Sequence, residues 1–189
     1  MIAASLTVYF SVSLYFFPAF YISKPFVSKA VPVITNVKMS ASEVPLGKSF
    51  NIKVTSSNQG DTADIQIVSI AFPNLTSISD SDIITIKNRN FNQKPQFVKT
   101  GEEIGSKYSG LSKATTAKYP SIEFYSRPWK TAAIYQAEIE IKPHAIGRFV
   151  IFIKAVSLPH NNEISHYPQT GIKDHQEEYV EVYSVNIRD

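Results

Sequence analysis

Residues 132–142 read AAIYQAEIEIK. Ala133, Tyr135, Ala137, Ile139 and Ile141 fall on every second position, and Gln136, Glu138, Glu140 and Lys142 lie between them. Side chains of an extended chain point alternately to opposite faces, so this spacing specifies a strand with one face in a core and one in water. It predicts Ile139 inside and Glu140 outside. Downstream, Pro143 to Gly147 forms a turn into RFVIFIKAVSL (148–158), whose apolar residues occupy both faces and suit a central strand.

The same period extends outward in both directions. VITNVKM (33–39) sets Val33, Val37 and Met39 against Ile34, Asn36 and Lys38. Glu43 to Lys48 reads as a turn, with Pro45 blocking ladder pairing and Gly47 free to take positive φ. Phe50, Ile52 and Val54 then alternate with Asn51, Lys53 and Thr55, and Ser57 to Asp61 reads as a second turn. ADIQIVSIAF (63–72), DIITIK (82–87) and EYVEVYSVNI (178–187) are also strand-like. No window after Ser23 pairs helical apolar spacing with a cap, so almost no helix is expected there. Composition agrees, because 22 Ile against 6 Leu favours strands. The expected body, residues 33–189, is an all-β, antiparallel β-sandwich of about seven to nine strands.

Composition also excludes several classes. The 189 residues contain no cysteine, which removes disulfide miniproteins, zinc ribbons, thiolate-held clusters and Cys nucleophiles. Hydrophobic content of 43% is that of a globular chain, and a net charge of +3 makes no case for nucleic acid.

Met1 to Ser23 carries no charged side chain. As a helix it would extend about 35 Å, enough to cross a bilayer core. Pro18 would kink it, and Tyr15, Phe16, Phe17, Phe20 and Tyr21 gather toward the Lys24 end like an interfacial belt. One N-terminal membrane helix contacting lipid through residues 1–23 is the expectation, with 24–32 as a linker. A cleaved signal peptide competes, since Ser28 and Ala30 are small residues at suitable spacing. Either reading puts the body outside the cytoplasm.

ITNVKMSASEVPLGKSFNIKVTSSNQGDTADIQIVSIAFP (34–73) contains Val44-Pro-Leu-Gly47 leading to Phe50, and the Asn58–Gly60 turn. These motifs resemble the opening strands of a bacterial and archaeal surface immunoglobulin-like domain, similar to the CARDB (cell-adhesion-related) type. GRFVIFIKAV (147–156) resembles that family's F strand. The resemblance covers about 60 residues of the 189 and implies an extracytoplasmic recognition or spacer module with no chemistry of its own.

Three features stand out against this scaffold. Residues 88–130 hold eight basic and three acidic residues, a net +5, interleaved with Phe91, Phe97, Tyr108, Tyr119, Phe124, Tyr125 and the single Trp129. A structureless loop of that length is out of place in a compact domain, so 118–129 is expected to contain a further strand. Tyr, Trp and Arg dominate interface energies, so a partner contact is expected at Tyr125, Arg127 and Trp129. The opposing reading packs these aromatics over the open edge of the sandwich. The second feature is the loop holding His160, His166 and His175 with Glu163 and Asp174, a possible zinc or copper site whose spacings match no standard ligand motif. The third is Asn74-Leu75-Thr76, an N-glycosylation sequon.

Neither G-x-S-x-G, a glycine-rich phosphate loop nor H-E-x-x-H occurs in the chain. The expected function is noncatalytic: a membrane-anchored extracytoplasmic module for binding, adhesion or scaffolding, partnered by another membrane or surface protein. The alternative is a metal-binding exterior domain using the histidine loop.

Overall fold

The computed structural model describes residues 29–78, 83–104, 115–158, 164–174 and 177–189. The N-terminal segment 1–23 lies outside these residues. Among the described residues the regular structure is entirely β, and no helix is long and apolar enough to cross a membrane. The strands are β1 (Pro32–Met39), β2 (Glu43–Pro45), β3 (Phe50–Asn58), β4 (Ile65–Ala71), β5 (Ile84–Arg89), β6 (Gln96–Val98) and β7 (Glu103–Ile104). They continue with β8 (Thr115–Thr116), β9 (Ser121–Ser126), β10 (Ile134–Ile141), β11 (Gly147–Leu158), β12 (Ser165–Tyr167), β13 (Ile172–Lys173) and β14 (Tyr179–Arg188).

The strands form two packed sheets. The smaller has the order β1-β3-β10-β5, and the larger runs β13-β14-β11-β4-β9-β6, with β12 beside β11 and β2 parallel to β14. A separate ribbon joins β7 to β8. In β10, Ala137, Ile139 and Ile141 are buried opposite Val54, Ile52 and Phe50 of β3, as the alternation requires. On the other face, Glu138 pairs across from Lys53, and Lys87 Nζ lies 3.1 Å from Glu140. Both members of the latter pair are partly exposed, so it contributes no more than about 1 kcal/mol. Phe50 of the small sheet meets Phe149 of the large one edge-on at 5.9 Å, which joins the two layers.

Three expectations need correction. The alternation in 33–39 put Ile34 opposite Val37 and Met39, but the register slips between Ile34 and Asn36 and leaves Thr35 as an extra residue. That bulge resets the phase, so Ile34, Val37 and Met39 all pack on the core. The turn expected from Ser57 starts later, because Ser57 and Asn58 still pair with both β1 and β10 or β1 alone. β11 is central in the large sheet, between β14 and β4, as expected, but the strand fully buried on both faces is its neighbour β4. Ile65 to Ile70 are all buried, whereas β11 alternates between buried and half-buried residues.

Asn58 closes one end of the sandwich. Its Oδ1 accepts the N–H groups of Val31 and Gly60, and its Nδ2 donates to the carbonyls of Asp61 and Trp129. A buried amide with all these partners is rigid, while an unpaired one would be costly. Gly60 is required here because a Cβ would overlap the Lys29 carbonyl oxygen. The chain thus enters the body at this end, beside the 59–64 turn and Trp129. β14 finishes at the other end, where Ile187 pairs with Gly147 and Val44.

Candidate functional site

β9 is a full member of the large sheet, laddered to β4 along six residues and to β6 along three. The further strand expected in 118–129 therefore exists at Ser121–Ser126. Ile122 and Phe124 point into the core, and Tyr125 emerges on the outer face, where Gln96 Nε2 donates to its hydroxyl at 3.3 Å. Arg127 follows in the exposed turn, its N–H donating to Asn92 Oδ1 at 3.0 Å while Asn92 Nδ2 donates back to its carbonyl. On neighbouring β6, Phe97 is 47% exposed. Tyr125 and Arg127 sit near the edge where the large sheet ends, held by these bonds, while Phe97 pairs across from Ile122 and projects from the other face of the sheet.

Trp129 does not join them. Its backbone bridges Ala63 in both directions, and the ring is fully buried against Phe91 at 5.6 Å and Tyr135 at 4.5 Å. Nε1 donates to the Ala133 carbonyl at 2.9 Å, which satisfies the one polar atom of the indole. The expectation of Trp129 as a contact residue is corrected: the ring fills the entry end of the core. The packing of aromatics under the sheet edge accounts for Phe91, Phe124 and Trp129 together.

A second polar grouping occupies the outer face beside β11. Lys154 points outward and pairs with Asp174 (Nζ–Oδ2 3.4 Å) and with Glu178, both from the β13–β14 hairpin. His166 on β12 lies opposite Val156 on the same face. Loss of water around its ring holds its pKa below the ordinary value; the Lys154 ammonium acts the same way, and the Glu178 carboxylate opposes them. A cleft of about 410 Å³ opens here between Lys29, Ile164, His166, Pro168, Glu178 and Tyr179. Of the expected metal-binding residues, His166 and Asp174 share this face, while His160 and His175 lie outside the described residues. Among the described residues no group of three or more His, Cys, Asp or Glu comes together for a metal. The positive charge beside Asp174 is the lysine ammonium. Lys154 was missed in the sequence, although a lysine inside an apolar strand was the available signal.

On the inner side of β14, Glu181 accepts hydrogen bonds from the hydroxyls of Tyr167 (2.8 Å) and Tyr183 (2.7 Å). Burial first, and then these bonds to the carboxylate, push Tyr167 up to about 12 and Tyr183 in the same direction. At the far end of the sandwich Asn74 is exposed, and its Oδ1 accepts the Val150 N–H at 2.6 Å.

No protein-family model matches the chain, and no curated protein matches it. Among solved structures it is similar to the cohesin module from Clostridium perfringens ATCC13124 family 33 glycoside hydrolase, at 11% identity over 85% of this chain and 98% of that one, with a TM-score of 0.39. Pseudomonas fluorescens alkylpurine DNA glycosylase AlkC gives 11% identity, 85% and 31% coverage, and 0.40. A β-glucosidase from Listeria innocua gives 11% identity, 85% and 16% coverage, and 0.37. Likenesses at this level assign neither a family nor an activity.

Proposed function

We propose that the chain is a tethered, noncatalytic binding module. In this reading residues 1–23 hold or deliver an immunoglobulin-like sandwich, akin to the CARDB type, outside the cytoplasm. Its β6–β9 edge, with Tyr125 and Arg127, then meets another membrane or surface protein. One positional observation carries it: Lys29–Val31, just after the uncharged run, enter the body at the same end as Arg127. A partner in the same membrane would meet that end first, and a net +5 over 88–130 favours an acidic surface on it. The sequon at Asn74 would then face away from the membrane, where a glycan obstructs nothing.

Cell fractionation tests the tether. The full chain is expected in the membrane pellet, and replacing Leu14 and Phe16 by Asp should release it, since a charge at mid-span costs about 2.5 to 3.5 kcal/mol on insertion scales. Recovery of the unaltered chain in the cytosol would overturn the reading. For the surface, Arg127→Glu should weaken capture of the partner with the melting midpoint unchanged. Unaltered capture removes this edge from consideration.

A further inference from the structure

Three rows of side chains cross the outer face of the small sheet. Val33 and Ile134 pair with Ser57 from either side, Asn36 and Gln136 with Thr55, and Lys38 and Glu138 with Lys53. Directly opposed residues of paired strands share a face. Tyr135 turns its ring inward against Trp129, so Ile134 and its row lie outside. Rows two residues apart stand about 7 Å apart. Along the face the chemistry thus runs from largely apolar to neutral polar to charged, and the apolar row is the one at the entry end. Burial alternates from Ala30 to Ile34, which sets Val31 on the same face, one step nearer that end. Ile134 is 59% exposed and Val31 38%. Single exposed apolar residues need no explanation, but a group of them graded into a polar face marks a contact surface.

The length of the chain before the body decides what lies against this surface. Lys29 is fixed to the body, since its carbonyl accepts the Asp61 N–H at 3.2 Å, and Ala30 is fully buried. Only residues 24–28 separate it from the uncharged run, and five residues reach about 18 Å at full extension. Among the described residues, the segment 29–31 and the turns 59–64 and 127–133 carry Lys29, Arg127 and Lys130 against Asp61 and Asp64. That small positive excess suits an anionic leaflet. We propose that the entry end of the sandwich rests in the headgroup layer of the membrane that holds residues 1–23. Val31, Val33 and Ile134 dip into that layer, and the row of Lys38, Lys53 and Glu138 stays in water. Apolar side chains enter a lipid interface to a depth of about 5 to 10 Å, which matches the spacing of the rows. The inference rests on the tether reading above and adds a fixed stance of the body on the bilayer.

The chain has no cysteine, so single spin labels report depth without interference. Ile146, 57% exposed at the opposite end of the sandwich, supplies the control site. Full-length Thr131→Cys and Ile146→Cys chains are labelled and reconstituted in vesicles of phosphatidylcholine and phosphatidylglycerol in equal parts. Collisions with oxygen, which concentrates in lipid, are compared with collisions with a water-soluble nickel chelate. The oxygen-to-nickel ratio is expected to be several-fold higher at residue 131 than at residue 146. Adding Ile134→Asp should lower the ratio at 131 toward that at 146 while the chain still floats with the vesicles. Equal ratios at 131 and 146 in a chain that floats would overturn the proposal and leave the tether standing. A high ratio at 131 that survives Ile134→Asp would overturn the role given to the apolar row. A chain that does not float with the vesicles would overturn the tether and this stance together.

Discussion

The two sheets differ most on the faces they turn away from each other. On the small sheet that face is water-side chemistry: Asn51, Lys53 and Thr55 of β3 stand beside Gln136, Glu138 and Glu140 of β10. On the large sheet the corresponding face carries Ile65 and Ile67, which are 4% and 6% exposed although they lie outside the inter-sheet core cluster. Phe152 and Val156 beside them are half-buried. Inner faces are alike and outer faces are not: around Ile65 and Ile67 the large sheet is covered on both faces. Period-two alternation in a sequence reports solvent on one face, and it fades where both faces are covered.

The core that both sheets share should give the largest effect. Trp129→Ala is expected to cost about 3 to 5 kcal/mol, read as a lowered denaturation midpoint, because a fully buried indole leaves a cavity with a broken hydrogen bond. A near-neutral result would return Trp129 to the surface. Next, Ile139→Ala on the inner face of the small sheet and Ile67→Ala on the outer face of the large sheet should both fall in the range of about 2 to 5 kcal/mol, Ile67 toward the lower end. If Ile67→Ala is silent, the outer face of the large sheet is as wet as that of the small one and the contrast fails.

A smaller effect comes from Tyr167 and Tyr183. Their folded-state pKa values lie above the unfolded value near 10, so the neutral phenols stabilise the fold fully below that pH. That contribution is lost as pH rises from about 10 through the folded values near 12 and above. The melting midpoint should decline over this alkaline range, and Tyr183→Phe should flatten the decline. Unchanged alkaline behaviour in the variant would show that Glu181 and its two tyrosines are not coupled to folding. The smallest effect is expected at Glu140→Ala, within about 0.5 kcal/mol, as for a half-exposed polar residue whose one ion pair, with Lys87, is at the surface. A loss there as large as at Ile139 would mean that the β10 register is wrong.

How much was legible in the sequence follows the same division. The register of β10 could be read residue by residue because Glu138 and Glu140 face water. β4 was recognisable as a strand from its β-branched residues, but its place as the doubly covered one was not, since IQIVSIA and VIFIKAV look equally apolar. Thr35 and Asn58 escaped for a different reason. The bulge, and the Asn58 bonds to Val31 and Trp129, depend on partners 20 and more residues away, which leave no local mark. The Asn58 bonds to Gly60 and Asp61 belong instead to the turn that the sequence does show. Within the candidate site, the further strand in 118–129 was legible, because a structureless segment of that length is out of place in a compact domain. The burial of Trp129 was not, because a basic and aromatic stretch reads the same whether its rings face a partner or the protein's own core.

Lys29 and Asp189 lie at opposite ends of the sandwich, and this sets how the body answers to mechanical load. A pull between them runs along β1 and β14, whose ladders with β3 and β11 each have seven paired positions. Hydrogen bonds in an antiparallel ladder lie across the strand direction, so sliding strains the whole row at once instead of peeling it bond by bond. Under such traction the parallel contact of β2 with the end of β14 adds a second strip that must shear in step. A force-extension measurement with handles at residues 29 and 189 should therefore record a single high rupture peak, and handles placed across the strands should give a lower one.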